Sequence, residues 1–140
     1  MPVADDNLLD AFWAVSRQLR KATRQGMDPL GVAPSQARAL RMLRHHGSLR
    51  LGELSERLRI APRSATEIVD GLQERGWCVR EPDPTDRRAT VVVLTEAGQD
   101  IGRTIRKVQV KHAEEYFAAL SAAERSELSA LLGKLTAAEG

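Results

Sequence analysis

The side chains best suited to chemistry in this 140-residue chain are arginines set beside short hydroxyl and carboxylate groups. Pro62-Arg63-Ser64 with Thr66 and Glu67 forms one group, and Asp86-Arg87-Arg88 forms a second. A guanidinium is a planar fork of donors that grips a phosphate, or the O6 and N7 edge of guanine, with two bonds at once. Ser64 and Thr66 can bond phosphate or base edges. Glu67 lies four residues after Arg63, so on a helix it can steady that guanidinium or accept from a cytosine amine. Asp86 and Arg88 are two apart, so on an extended strand they share a side and the carboxylate can orient the arginine. An oriented arginine on a protruding loop suits a narrow minor groove, where the negative potential is strongest. Read alone, the first group also fits a solvent-facing helix whose Arg and Glu pair with each other, and the second fits a solvated turn.

The elements that must carry these groups follow from periodicity. Leu8, Leu9, Phe12, Val15, Ser16 and Leu19 recur at helical spacing from Asp5 to about Gln25, ahead of a breaker cluster from Gly26 to Pro34. Ala37, Leu40 and Leu43 predict a second helix from Ser35 to His46, stopped by Gly47, and Leu51, Leu54 and Leu58 a short third. Ala65, Ile68, Val69 and Leu72 share one face of a fourth helix, with Pro62 in its first turn and Gly76 past its end. On that helix Arg63, Glu67, Asp70 and Glu74 point away from the apolar face. Asp70 and Glu74 would repel phosphates, so only the N-terminal half is fit to meet them. Trp77 to Glu81 and Ala89 to Leu94 read as strands of a hairpin. Thr95 caps a long helix carrying Ile101, Ile105, Val108, His112 and Phe117, and Ser121-Ala-Ala-Glu124 is a capping box for a last helix with Leu128, Leu131, Leu132 and Leu135. The predicted class is mainly α with a small β-hairpin wing: a winged helix-turn-helix of about six helices. Residues 1–140 form a single domain, with a winged lobe at 34–95 and helical, dimerising ends at 1–33 and 96–140.

Charge placement supports the same region. The formal net charge is only +2, yet residues 33–95 hold eleven arginines against eight carboxylates and no lysine, while both ends are near balance. Charged residues are 29% of the chain and are interleaved in sign, and no run of about 18 apolar residues offers a membrane span. The start, Met1-Pro-Val-Ala-Asp-Asp, lacks a basic stretch followed by an apolar one, so a cytoplasmic protein is expected. A lone cysteine, Cys78, excludes an internal disulfide and sits in a strand, where a buried, inert thiol is expected. His45 and His46 point in different directions on a helix and His112 is remote in sequence, so no metal site and no cofactor is predicted. No nucleophile–base pair, glycine-rich phosphate loop or paired catalytic carboxylates is present, and an enzyme is not expected.

Several ordered segments resemble the MarR family of bacterial regulators: residues 33–43 (Ala-Pro-Ser-Gln-Ala-Arg-Ala-Leu-Arg-Met-Leu), Leu51-Gly-Glu-Leu-Ser-Glu-Arg-Leu58, Ser64 to Gly76, Asp83-Pro-Thr-Asp-Arg-Arg88 and Leu94-Thr-Glu-Ala-Gly98. The resemblance runs from the first helix to about Leu135. It implies a homodimer with interlocked terminal helices, acting as a transcriptional regulator, by expectation a repressor, on a pseudo-palindromic operator in double-stranded DNA. The fourth helix would enter the major groove and Arg88 the minor groove. It also implies a crevice for a small aromatic or amphiphilic effector, for which Phe12, Trp13 and Ser16 are the candidate residues. Peroxide-sensing relatives carry their cysteine in the first helix, where this chain has none. The chain departs from the family at Ala33, Arg50 and Ala61, where helix starts often carry Ser or Thr, and Arg50 is a candidate phosphate contact instead.

Two other classes fit parts of this pattern. A winged-helix module that docks a protein would favour aromatic and aliphatic anchors where this chain has Arg, Ser, Thr and Glu. A ligand-carrying helical binder would need an apolar pocket and no Arg88.

Overall fold

The computed structural model describes residues 2–138, with side chains from residue 6 onward. Met1, Glu139 and Gly140, and the side chain of Asp5 that was expected to open the first helix, lie outside the described residues. The element order is α1 (Pro2–Met27), a 3-10 turn (Asp28–Leu30), α2 (Pro34–His46), β1 (Leu49–Arg50), α3 (Leu51–Leu58), α4 (Pro62–Glu74), β2 (Cys78–Pro82), β3 (Thr90–Leu94), α5 (Glu96–Phe117) and α6 (Ala122–Ala137). This is a mainly helical winged helix-turn-helix. The chain divides into two compact units, residues 27–108 and residues 1–26 with 109–140.

The unit of residues 27–108 is built around an aliphatic core. Leu40, Leu43, Leu54, Leu72, Val69, Val92 and Cys78 are its largest fully buried side chains, drawn from α2, α3, α4 and the sheet. The buried residues of α4 are Ala65, Val69 and Leu72, so the apolar stripe faces the core and the stretch from Pro62 to Ser64 is left in solvent. Pro62 stands in the first turn of α4, where its missing N–H breaks no helical bond. After α4, Gly76 takes φ +74° and the Trp77 N–H returns to the Leu72 carbonyl, which closes the helix and turns the chain into β2.

The sheet has three antiparallel strands in the order β1-β3-β2, with Leu49 opposite Val92 and Cys78 opposite Leu94. The expected hairpin is β2–β3, begun one residue later at each strand than the alternation suggested. Strand β1 was not anticipated: two residues are too few to show a period, and Leu49 reads locally as the lead-in to α3. Gly98 lies in the first turn of α5, where a Cβ would stand 2.0 Å from the Trp77 carbonyl oxygen, so only glycine lets α5 start this close to β2.

The helix starts that lack Ser or Thr are served differently from the expectation. At Ala33 and Arg50 the backbone N–H donates to the side chain three residues on, Gln36 at 3.2 Å and Glu53 at 3.0 Å. That is half of a capping box, and it leaves the helix-ward amides without a side-chain acceptor. Ala61 has no side-chain cap at all. Ser121 and Glu124 form the full reciprocal box ahead of α6.

In the other unit, α1 and the end of α5 meet through Gln18, whose Oε1 accepts from the Tyr116 hydroxyl at 2.7 Å. Helix α6 has no buried residue, and Leu131, Leu132 and Leu135 stand exposed on it. Leu8, Leu9, Phe12, Trp13 and Val15 are likewise exposed on α1. One residue expected in this apolar set belongs elsewhere: Ile105 is buried in the core of residues 27–108, because the first half of α5 packs there.

Candidate nucleic-acid interface

Arg63 and Glu67 are exposed on the first turns of α4. Among the described residues, the Arg63 side chain makes no ion pair or hydrogen bond, and neither does that of Glu67. The pairing expected between them is therefore absent, and Arg63 presents its full set of donors to solvent. Ser64 is exposed beside it. Thr66 is exposed too, but its hydroxyl donates back to the Pro62 carbonyl at 3.1 Å, which leaves only acceptor capacity on that oxygen.

One carboxylate in the acidic half of the same helix, Asp70, is neutralised by the wing, while Glu74 stays unpaired among the described residues. Arg80 on β2 donates to Asp70 Oδ1 and to Gln73 Oε1, each at 2.5 Å. Sequence reading left Asp70 as a repulsive charge to be tilted away, and here a wing arginine cancels it. The signal was present, an arginine on the strand after α4, but its register opposite Asp70 depends on the turn at Gly76.

The hairpin tip differs from the extended strand expected at Asp86–Arg88. The Asp86 carbonyl accepts from the Ala89 N–H at 3.0 Å, and Asp86 Oδ1 accepts from the Arg88 N–H at 3.0 Å. Asp86 thus opens a tight turn with Arg87 and Arg88 at its centre, a role that suits a short carboxylate with its own acceptor. The carboxylate fixes the backbone of Arg88 and reaches the guanidinium only at 4.0 Å, and the Arg88 side chain is 98% exposed. Arg87 has no partner among the described residues. Two adjacent arginines are held on one rigid turn with their charged ends in water.

The base of the wing is held by a second aspartate. Asp83 is buried, at 7% exposure, and its Oδ1 accepts from the Thr85 N–H and hydroxyl, each at 2.8 Å. Its Oδ2 accepts from Arg50 Nε at 2.7 Å and lies 2.6 Å from the second guanidinium nitrogen. Arg50 is thus committed to an intramolecular carboxylate, which answers the phosphate role considered for it. The two Thr85 bonds, then Arg50, hold the Asp83 carboxyl well below the usual range, at about 2.

Other arginines of the central segment are also spoken for. Arg38 donates to the Leu58 carbonyl, and Arg57 meets His46. Arg75 donates to the Gly31 carbonyl and covers the ring of Trp77 at 4.0 Å. On α4 and the hairpin tip the unengaged cations are therefore Arg63, Arg87 and Arg88. The Cys78 thiol is buried, donates toward the Val69 carbonyl at 3.7 Å and is pushed up by desolvation, which favours its protonated form. Among the described residues no three His, Cys, Asp or Glu side chains converge as for a metal ion, and no helix is long and apolar enough to cross a membrane.

Phe12 and Trp13 are about half exposed and touch edge-to-face with ring centroids 6.1 Å apart, and Ser16 is partly covered one turn on.

The sequence model of the MarR family matches residues 32–90, which span α2, the helix-turn-helix and the wing. An HTH-type transcriptional regulator of Mycobacterium bovis is 32% identical over 118 residues, 84% of this chain and 80% of that one. The chain belongs to the MarR family. Within the family it is also similar to the HTH-type transcriptional repressor MdtR of Bacillus subtilis, at 30% identity over 70% of this chain and 65% of the relative. Among solved structures, a cysteine-to-serine mutant of MarR from E. coli superposes with a TM-score of 0.84 at 25% identity, covering 92% of this chain and 96% of that one. The same mutant complexed with operator DNA superposes with a TM-score of 0.75 at 25% identity, over 92% and 93%. The Mycobacterium and Bacillus relatives are named as transcriptional regulators, and membership of the MarR family puts this chain in that functional class.

Proposed function

We propose that the protein is a homodimeric, cytoplasmic DNA-binding repressor and not an enzyme, with the lobe of residues 34–95 reading an operator and the ends, 1–33 and 96–140, pairing the two copies. The observation that carries this reading is the set of unengaged arginines. Arg63 at the solvent-facing start of α4 and Arg87-Arg88 on the rigid hairpin turn lack strong intramolecular partners, while the neighbouring carboxylates Asp70 and Asp83 are neutralised by Arg80 and Arg50. In that arrangement Pro62 sets the helix start, and Arg63, Ser64, Thr66 and Glu67 meet base edges and phosphates in the major groove. Asp86 fixes the turn from which Arg87 and Arg88 reach the flanking minor groove. The operator complex of the E. coli structural neighbour and the repressor description of the Bacillus relative support the same assignment.

Pairing of the ends is supported by α6, a 16-residue helix with no buried residue, and by the exposed Leu8, Leu9 and Phe12 of α1. An apolar face of this kind is covered in a stable soluble protein, and an isologous dimer covers it with a second copy. The two reading helices would then address half-sites about 34 Å apart, one turn of duplex. Phe12, Trp13 and Ser16 are the residues we assign to a small aromatic or amphiphilic effector that releases the operator.

The test is selection of fragments from a random duplex library by the purified protein, followed by anisotropy titration of the enriched sequence. An inverted repeat bound with strong salt dependence is expected. No enrichment and no salt-dependent duplex binding would overturn the reading.

A further inference from the structure

The start of α4 carries hydrogen-bonding groups of fixed and opposite sense. The Arg63 guanidinium is exposed and can only donate. Thr66 lies about one turn further on, also exposed, and its hydroxyl donates to the Pro62 carbonyl at 3.1 Å. A carbonyl has no proton to return, so the sense of that bond is settled, and Thr66 Oγ1 has lone pairs alone left to offer. The carboxylate of Glu67 is exposed beside it, has no intramolecular partner among the described residues, and accepts only. The Ser64 hydroxyl differs from both. It makes no hydrogen bond among the described residues and is free to donate or accept.

An oxygen whose proton is already committed cannot bond another acceptor. Phosphate oxygens, guanine O6 and N7 and thymine O4 are all acceptors, and the neighbouring Glu67 carboxylate repels them further. What remains for Thr66 in the major groove is an exocyclic amine, N6 of adenine or N4 of cytosine. Each base pair sets one such amine against one keto oxygen, adenine facing thymine and cytosine facing guanine. An acceptor-only group therefore separates amino bases from keto bases at one position, without separating adenine from cytosine. Three residues of helix advance about 4.5 Å, against about 3.4 Å for one base step, so Arg63 and Thr66 address the same or neighbouring base pairs.

We propose that Thr66, with Glu67 as a second acceptor, is a specificity-determining residue. It selects an amino base, adenine or cytosine, beside the guanine gripped by Arg63, and rejects guanine or thymine at that place. The inference rests on the operator reading assigned to α4 and adds the class of base that the helix demands. Thr66 is thereby withdrawn from the phosphate contacts, and Ser64, whose hydroxyl can still donate, keeps that role.

Operators are selected from a random duplex library by the parent and by Thr66→Val, which deletes the hydroxyl at nearly constant shape. The position is exposed, so the variant should fold as the parent does. The parent should enrich adenine or cytosine at one position of each half-site where Thr66→Val shows no preference. Purine in place of that adenine, or pyrimidin-2-one in place of that cytosine, removes only the amine. Its loss should weaken parental binding about fivefold and that of Thr66→Val by less than about twofold. Affinity for a random-sequence duplex at fixed salt should match between the two proteins, since no phosphate bond is lost. An unchanged preference in Thr66→Val, a lost preference for guanine or thymine, or equal sensitivity to the missing amine would overturn the proposal. A fall in random-duplex affinity would overturn it too, by assigning Thr66 to phosphate. Failure of the operator reading has a different signature: the parent itself then enriches no sequence, and the proposal falls with it.

Discussion

Arg50 and Asp83 are 33 residues apart in sequence, yet Arg50 Nε and its neighbouring nitrogen lie 2.7 and 2.6 Å from one carboxylate oxygen of Asp83. Arg50 precedes the first residue of α3, and Asp83 follows the last residue of β2. The pair therefore joins the start of the helix-turn-helix to the base of the wing, and Thr85 occupies the other carboxylate oxygen. The Asp83 carboxyl is held at about 2 in the folded chain, against 3.8 for an ordinary aspartate. A depressed carboxylate contributes stability that is present above the unfolded pKa and lost as the folded pKa is approached from above. The contribution of Asp83 should accordingly fade between about pH 4 and pH 2. Urea unfolding of the parent and of Asp83→Asn should show a stability gap that is widest near neutrality and narrows through that window. A gap independent of pH would contradict the pairing.

Operator reading separates into two arginine effects. Arg63→Ala should cost roughly 1–3 kcal/mol on the selected operator and relax its sequence preference, because the lost bonds are to base edges. Arg88→Ala should weaken binding chiefly where an A·T-rich minor groove flanks the half-site. Anisotropy titrations on operators with A·T and G·C flanks distinguish the two. Parental affinity in both variants would refute the placement of α4 and the wing.

Gly98→Ala should destabilise the fold by about 1–3 kcal/mol or more, since the added methyl collides with the Trp77 carbonyl and not with a movable side chain. The readout is the chemical denaturation midpoint at unchanged slope.

Arg59, in the turn between α3 and α4, sits at φ 56° and ψ 49°, the left-handed region. That conformation costs an ordinary residue roughly 1–2 kcal/mol. Arg59 is exposed and its side chain has no partner among the described residues, so Arg59→Gly should raise stability by up to about 1 kcal/mol in the same denaturation assay.

If Trp13 contributes to an effector site, phenolic compounds should quench its fluorescence in a Trp77→Phe background and weaken operator binding in parallel. Differential binding of about 1.4 kcal/mol toward the DNA-free form would lower operator affinity tenfold. A broad set of compounds that alters neither signal would assign Trp13 to packing.

How far the sequence disclosed this molecule depends on the range of the interaction involved. Helices α4 and α6 were legible because their signals are local: Pro62 in the first turn, the Ala65-Ile68-Val69-Leu72 stripe, and the Ser121–Glu124 box. The candidate reading residues Arg63 and Ser64 were legible for the same reason, being the polar side of a stripe visible in one window. Asp83 and Arg50 were not, since a pairing across 33 residues leaves no period and depends on β1 docking against β3. The turn at Asp86 was misread as extended because Asp-Arg-Arg carries no glycine or proline to announce it. Its geometry comes from the Asp86 carboxylate bonding two residues ahead.

One oxygen, that of the Thr95 hydroxyl, serves two helices at once. It donates to the Gly76 carbonyl just past the end of α4, at 2.6 Å, and accepts from the Gly98 N–H in the first turn of α5, at 3.1 Å. With the Thr95 N–H on the Trp77 carbonyl at 3.0 Å and no room for a side chain at Gly98, the end of α4, the start of β2 and the start of α5 are fastened at one residue. Thr95 is a single rivet through three elements, and removing its hydroxyl takes a bond from the exit of one helix and the entry of the next at once.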